Sequence, residues 1–341
     1  MSNKNDKKTE KISVGGQALI EGIMMQGPKG AAMSVRLPDG SIETEELEVK
    51  HVRDKFKPAG WPLIRGIFNM VESLLFGFKC MEKSAEKIGL DDDTDPEKMS
   101  KLDKWISDHF GPKMMAVVTG ISLVLGVALA FGLFFYLPTF LVDIVDKYLI
   151  KPDFSTLHPL FEGIMRMVIF VAYIWVVSKI PDIKRVFMYH GAEHKSIFCY
   201  ESGLPLTVEN VKKQKRFHPR CGTSFIFVIL IISILISSAL VVAFPELSAD
   251  ENRILWMAIK ILIIPLTVGI GYEFIRYAGK HDNFLVKILA APGLWMQRLT
   301  TSEPTDDIIE VGIASLKSVL TDVDEPEDHG DNADVSEEID N

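Results

Sequence analysis

Apolar residues in this chain gather into four long runs. Segment 222–244 has 23 consecutive uncharged residues, mostly Ile, Leu, Val, Phe, Ser and Ala. As a helix, that length crosses a hydrocarbon core of about 30 Å. Segments 114–142, 159–180 and 254–275 repeat the pattern less purely, with Glu162 and Arg166 in the second and Lys260 and Glu273 in the fourth. The expected fold class is an α-helical integral membrane protein with four transmembrane helices and a small N-terminal β-containing cytoplasmic unit. Pro138 and Pro265 fall within the first and fourth spans and should kink them, which bundles tolerate.

Shorter patterns fill the rest. Residues 13–60 read as a β-rich unit, because Ala31–Leu37 and Ser41–Lys50 flank the turn Pro38-Asp39-Gly40. The glycine-punctuated stretch before it, Gly15-Gly16 and Gly22 to Pro28, reads as tight backbone turns. It is not a phosphate loop, since no Lys-Ser/Thr follows its last Gly. Residues 61–88 predict an amphipathic helix, with Ile64, Ile67, Phe68, Val71, Leu74, Leu75 and Phe78 on one stripe. That stripe suits either a membrane surface or the transmembrane bundle. Residues 89–113 read as an acidic linker and pre-membrane segment. Segment 284–299 reads as a short, broken interfacial piece with Trp295 at headgroup level and Lys287 and Arg298 reaching out.

Charge changes the picture in two places. Residues 321–341 carry ten acids and no Lys or Arg, so the net charge of −9 lies in the tail and the remainder is close to neutral. The expectation is an acidic disordered tail over 301–341 and a disordered N-terminus over 1–12. Lys and Arg near the span ends number sixteen on one side, eight of them within 181–221, and three on the other (Lys147, Lys151 and Arg253). That bias puts both termini and the 181–221 loop in the cytoplasm of a multi-pass cell-membrane protein. The first eleven residues are charged and lack the apolar core of a signal peptide. Three cysteines are too few for a disulfide framework.

Candidate chemistry lies in the cytoplasmic loop. His190 and His194 stand four apart, on one face of a helix continuing from the second span to about Tyr200. His218 and Cys221 follow, directly before the third span. Imidazole and thiolate are zinc donors, and the four could close a tetrahedral shell around Zn²⁺ or another divalent metal. His190-x-x-Glu193-His194 also has the order of inverzincin peptidases, with Glu193 as general base, though the rest of the chain does not look like that soluble fold. Glu201, Lys195 and Arg220 are candidates for the surrounding shell. Cys199 is a weaker candidate ligand, and Glu273 supplies a third donor only if its span brings it close. For Glu162 with Arg166, and for Glu273 near Arg276, structural pairing is the favoured reading, and Lys260 can snorkel to the outer interface.

Together these blocks resemble the YqhQ family of bacterial membrane proteins over roughly 13–300. The resemblance rests on Gly15-Gly16-Gln17-Ala18, Glu21 to Pro28, Arg65-Gly66, His190 to Lys195 and His218 to Thr223. It implies a predicted metal-dependent enzyme without an established reaction. Two functions are therefore expected. One is a metal-dependent, hydrolytic enzyme. The other is a non-enzymatic accessory or scaffold in membrane-protein insertion or assembly, its cluster a structural clamp. A transporter has least support, since no internal repeat is visible. Expected partners are the lipid bilayer and other membrane proteins, with no nucleic acid; oligomeric state is not legible.

Overall fold

The computed structural model describes residues 14–49, 51–89, 112–149, 157–219, 221–248, 253–278, 281 and 283–321. The expected disordered N-terminus, most of the acidic linker, Arg220 and the acids beyond Thr321 lie outside the described residues. Residues 15–47 form an antiparallel meander in sequential order: β1 (Gly15–Leu19), β2 (Gly22–Gly27), β3 (Gly30–Arg36) and β4 (Ile42–Leu47). The turn between β3 and β4 is the predicted one. Asp39 accepts from the Ser41 N–H at 2.9 Å, and Gly40 takes φ 87°. The glycine stretch, expected as turns, contributes the other two strands. Both faces of this sheet are covered, so Ile23-Met24-Met25 is buried throughout and lacks the alternation that marks a half-exposed strand. Ile23, Met25 and Ala32 join one core. Met24, in register with Met33, faces a second core around Cys80.

After the short α1 (Val52–Lys55) comes α2 (Ile64–Lys87), which joins the sheet to the bundle. Its buried face is a row of small residues, Gly66, Gly77, Cys80 and Ser84. Gly77 abuts the Gln17 side chain, and the Ser84 hydroxyl donates to the Ile20 carbonyl. At the other end Gly66 meets the long apolar helix Arg253–Ala278. A Cβ on Gly66 would fall 2.6 Å from the Tyr272 Cβ. Asn69 donates to the Tyr272 hydroxyl at 2.7 Å, and Arg65 Nε to Glu273 at 2.6 Å. Glu273 is thus an anchor for Arg65 and does not join the group of possible metal donors considered from sequence. Val71, Leu74, Leu75 and Phe78 of the predicted stripe stay exposed.

The bundle follows, with α3 (Pro112–Phe131), a π-helical turn at Gly132–Tyr136, α4 (Leu137–Leu149) and α5 (His158–Val177). Then come α6 (Pro181–Glu201), α7 (Val208–Lys212), α8 (Gly222–Ala243), α9 (Arg253–Ala278), α10 (Phe284–Thr300) and α11 (Asp306–Val319). Among the described residues, four stretches are long and apolar enough to cross a membrane: Gly120–Asp146, His158–Val177, Phe225–Ala243 and Leu255–Ala278. Pro138 has no N–H for the Phe134 carbonyl and its ring crowds it. The helix widens into the π turn there, and Arg166 Nε donates to that carbonyl at 2.9 Å. Arg166 also reaches Glu162 at 2.7 Å, the expected i, i+4 pair. Lys260 does not snorkel outward. Its Nζ lies 2.9 Å from both Glu162 oxygens, and both side chains are under a tenth exposed. A buried ammonium without its counter-ion costs more than any reach to water regains. Segment 284–299 is also not broken: α10 runs through Pro292, its start capped by the Asn283 side chain at 3.0 Å from the Val286 N–H, and it packs on α8.

The C-terminal region corrects the expectation most. Instead of disorder from 301, α11 is a core helix against α6 and the sheet. Ile308, Ile309, Leu316 and Val319 are buried at helical spacing, and Ser315 donates to the Ile23 carbonyl at 2.9 Å. Its signals were present: Asp306 and Asp307 in the first turn and Lys317 in the last complement the helix dipole.

Two substitutions test this architecture. Gly66→Val should cost about 1–3 kcal/mol by overpacking the α2–α9 contact, read as a lower thermal midpoint in detergent, while Gly120→Ala, whose Cβ meets nothing within 4 Å, should not. Glu162→Gln removes the carboxylate shared by Lys260 and Arg166 and should cost about 3–5 kcal/mol. The exposed pair Lys213–Glu209 is the control, and its loss should change the midpoint little.

Candidate metal centre

Helix α6 opens with Pro181 in its first turn and ends at Glu201, so His190 and His194 project from one face. Their ring centroids are 4.5 Å apart. Each ring is aimed by a backbone carbonyl. His190 Nδ1 lies 2.9 Å from the Thr300 oxygen and His194 Nδ1 2.5 Å from that of Arg216. A carbonyl only accepts, so both rings hold their proton on Nδ1 and leave Nε2 as a lone-pair donor. Cys221, at the start of α8, brings its Sγ to 3.2 Å from His190 Nε2. His190, His194 and Cys221 offer donor atoms all within 4.8 Å of one another. Tetrahedral zinc with N and S ligands sets donors roughly 3.3–3.8 Å apart. The set therefore fits a zinc-like ion with modest closure.

The intervening residues of the motif each hold a different element. Gly191 lies against the Ser302 carbonyl, leaving no room for a Cβ, and Ser302 N–H donates to the Phe187 carbonyl at 2.8 Å. Ala192 is fully buried in the core shared with α11. Lys195 donates to the Lys212 carbonyl at 2.9 Å and to Glu303, making it a structural tie. Glu193 is buried beneath β1, where the Gly16 N–H donates to its carboxylate. A Cβ on Gly16 would fall 3.0 Å from Glu193 Cγ. Burial pushes the Glu193 carboxyl up to about 7, against the pull of His190 and of that N–H. Burial also drives His194 well below the ordinary histidine range, which keeps it in the neutral, ligating form.

His218 stands apart from the trio. Its backbone is clamped by Gln297, which accepts from the His218 N–H and donates to its carbonyl, both at 2.7 Å. Its ring lies 5.7 Å from that of His194, but Nε2 faces Glu201 at 3.6 Å. Burial lowers His218 to about 4. Glu201 is thus a partner of His218. Cys199 is buried behind the helix, its thiol directed at the Pro205 carbonyl at 3.5 Å and pushed up to about 11 by burial. The contribution of Gly16 escaped sequence reading. Its one signal was the Gly15-Gly16 pair, which marks a close approach without saying to what.

The chain is 36% identical to the uncharacterized protein YqhQ of Bacillus subtilis (strain 168) over 314 residues, which cover 90% of this chain and 92% of that protein. No solved structure matches. Residues 61–322 match the family described as protein of unknown function (DUF1385), and the chain belongs to that family.

Proposed function

We propose that this protein is a multi-pass membrane protein carrying a metal-dependent hydrolytic centre on its cytoplasmic face. The observation that carries the reading is the donor count. Three donors converge, and the fourth candidate of the sequence pattern, His218, is turned toward Glu201. Structural zinc sites close four protein ligands, whereas catalytic ones keep a position open. His190, His194 and Cys221 would hold the divalent ion, which when bound would lower the pKa of water toward about 7. Glu193 flanks His190 on the same helix, and burial raises its carboxyl to about 7, in the range that suits a general base. The alternative, a scaffold for insertion or assembly of other membrane proteins with the cluster as clamp, needs His218 to leave Glu201 and complete the shell.

Membrane residence is supported by the four apolar helices and by the exposed stripe of α2, which a bilayer surface would cover. The cytoplasmic assignment rests on the Lys and Arg bias. Reporter fusions after Lys151 and after Asp250 should read as external, and one within 202–212 as cytoplasmic. An external signal from the last moves the histidines outside and overturns the orientation.

Metal content tests the centre. Protein purified without chelator should carry near-stoichiometric zinc or another divalent metal by elemental analysis. His190→Ala, His194→Ala and Cys221→Ser should each lose it, whereas His218→Ala should keep it. Glu193→Gln should keep both metal and fold yet fail to complement a deletion of the gene. Absence of metal from the wild type defeats the reading. Loss of metal in His218→Ala favours the closed clamp.

A further inference from the structure

A cavity of ≈ 220 Å³ lies beside the candidate metal centre, with His218 in its lining. Its walls come from α6, α8, α9 and α10, and its lining is apolar except at one end, where Glu201 and His218 meet. The His218 ring is the shared boundary, next to His194 on one side and Phe198 on the other, with centroids 5.7 Å and 4.8 Å away. We propose that this cavity holds the acyl chain of a bilayer lipid, with its ester linkage at the Glu201–His218 end beside the metal centre. The inference rests on the metal-dependent reading and names the substrate class it would serve.

Three observations select that occupant. The volume lies below the roughly 300–1,000 Å³ of drug-sized ligand sites, so it takes a short stretch of one slim chain and no bulkier group. Two of the walls, α8 and α9, belong to the apolar helices long enough to cross a membrane. A third, α10, turns Val286 and Ala290 inward while Phe284 and Ile288 on its far side are 79% and 51% exposed. A chain already dissolved in lipid therefore reaches the cavity without passing through water. Finally, the single charged group in the lining is a carboxylate, Glu201, which repels a free fatty acid's own carboxylate and tolerates an uncharged ester.

The experiment uses full-length protein in phosphatidylcholine nanodiscs containing a trace of phosphatidylcholine with a diazirine near the end of one acyl chain. After irradiation, labelled peptides are mapped by mass spectrometry. The expected result is labelling concentrated at 274–290, several-fold above the lipid-facing surface around Leu235 and Leu262. Ala290→Trp, or Val228→Phe from the opposite wall should the first not fold, should abolish that excess while metal content stays unchanged. His190→Ala should lose metal and keep the excess, so a failed metal reading and a failed cavity reading give different results. Labelling spread evenly over the exposed apolar surface, or unaltered in both filled variants, overturns the proposal. Stronger cavity labelling by the matching free fatty acid overturns the choice of an esterified chain.

Discussion

A helix that places two imidazoles, a carboxylate and an ammonium within six positions, all but the half-buried His190 fully buried, must find a partner for each of them. Burial without a hydrogen bond costs several kcal/mol per polar group, and more for a charge. On α6 these partners come from four separate places: the Thr300 carbonyl for His190, the Gly16 N–H for Glu193, the Arg216 carbonyl for His194 and the Lys212 carbonyl for Lys195. Strand β1, the 207–219 connection and the end of α10 are thereby drawn onto one helix. The same bonds fix the tautomers that leave both Nε2 atoms facing Cys221. Fold and site are one constraint here, because the groups that would bind metal are also the ones whose burial has to be satisfied.

Close backbone approach makes that convergence sterically feasible. Gly16 and Gly191 sit where a Cβ would strike Glu193 and the Ser302 carbonyl, and Gly312 lets α11 cross α6 beside Ser196. A parallel device couples this unit to the bundle. Gly66 and Gly269 bring α2 and α9 into contact, while Gly77 and Cys80 of α2 lie under the sheet. The small-residue face of α2 thus transmits position from the apolar helices to β1, and β1 holds Glu193. A shift of α2 in the bundle would reach the proposed base through the Gln17 side chain, which packs on Gly77, and the β1 backbone that carries Gly16.

What the sequence disclosed followed from periodicity. Four apolar runs, the Pro38-Asp39-Gly40 hairpin and the shared face of His190 and His194 were all legible, because each repeats at 2 or 3.6 residues or carries turn chemistry. What it concealed depended on tertiary cover. β2 lacks alternation since both sheet faces are buried. α11 was hidden by the acids that follow it, although its own apolar spacing was regular. Lys260 looked able to reach water until Glu162, about a hundred positions away, took its charge. His218 carried the right element at the right spacing for a ligand. Its direction was decided by Gln297, whose paired hydrogen bonds turn the 217–219 backbone so that the imidazole faces Glu201. Spacing names candidate donors; the clamp on the backbone selects among them.

That selection has a chemical consequence. With His218 turned to Glu201, the polar pair lies between two unlike compartments. On one side is a dense polar knot built from α6 and the loops around it. On the other is an apolar cavity walled by helices of membrane-spanning length. Were His218 a fourth ligand, its ring would close both the coordination shell and the passage between them. Held as it is, it would leave one position open around an ion on His190, His194 and Cys221, and it lines the cavity. An open coordination position is useful to an enzyme only if a reactant can approach it. On the proposed reading, that approach would run past Glu201 and His218, from the cavity walled by the apolar helices.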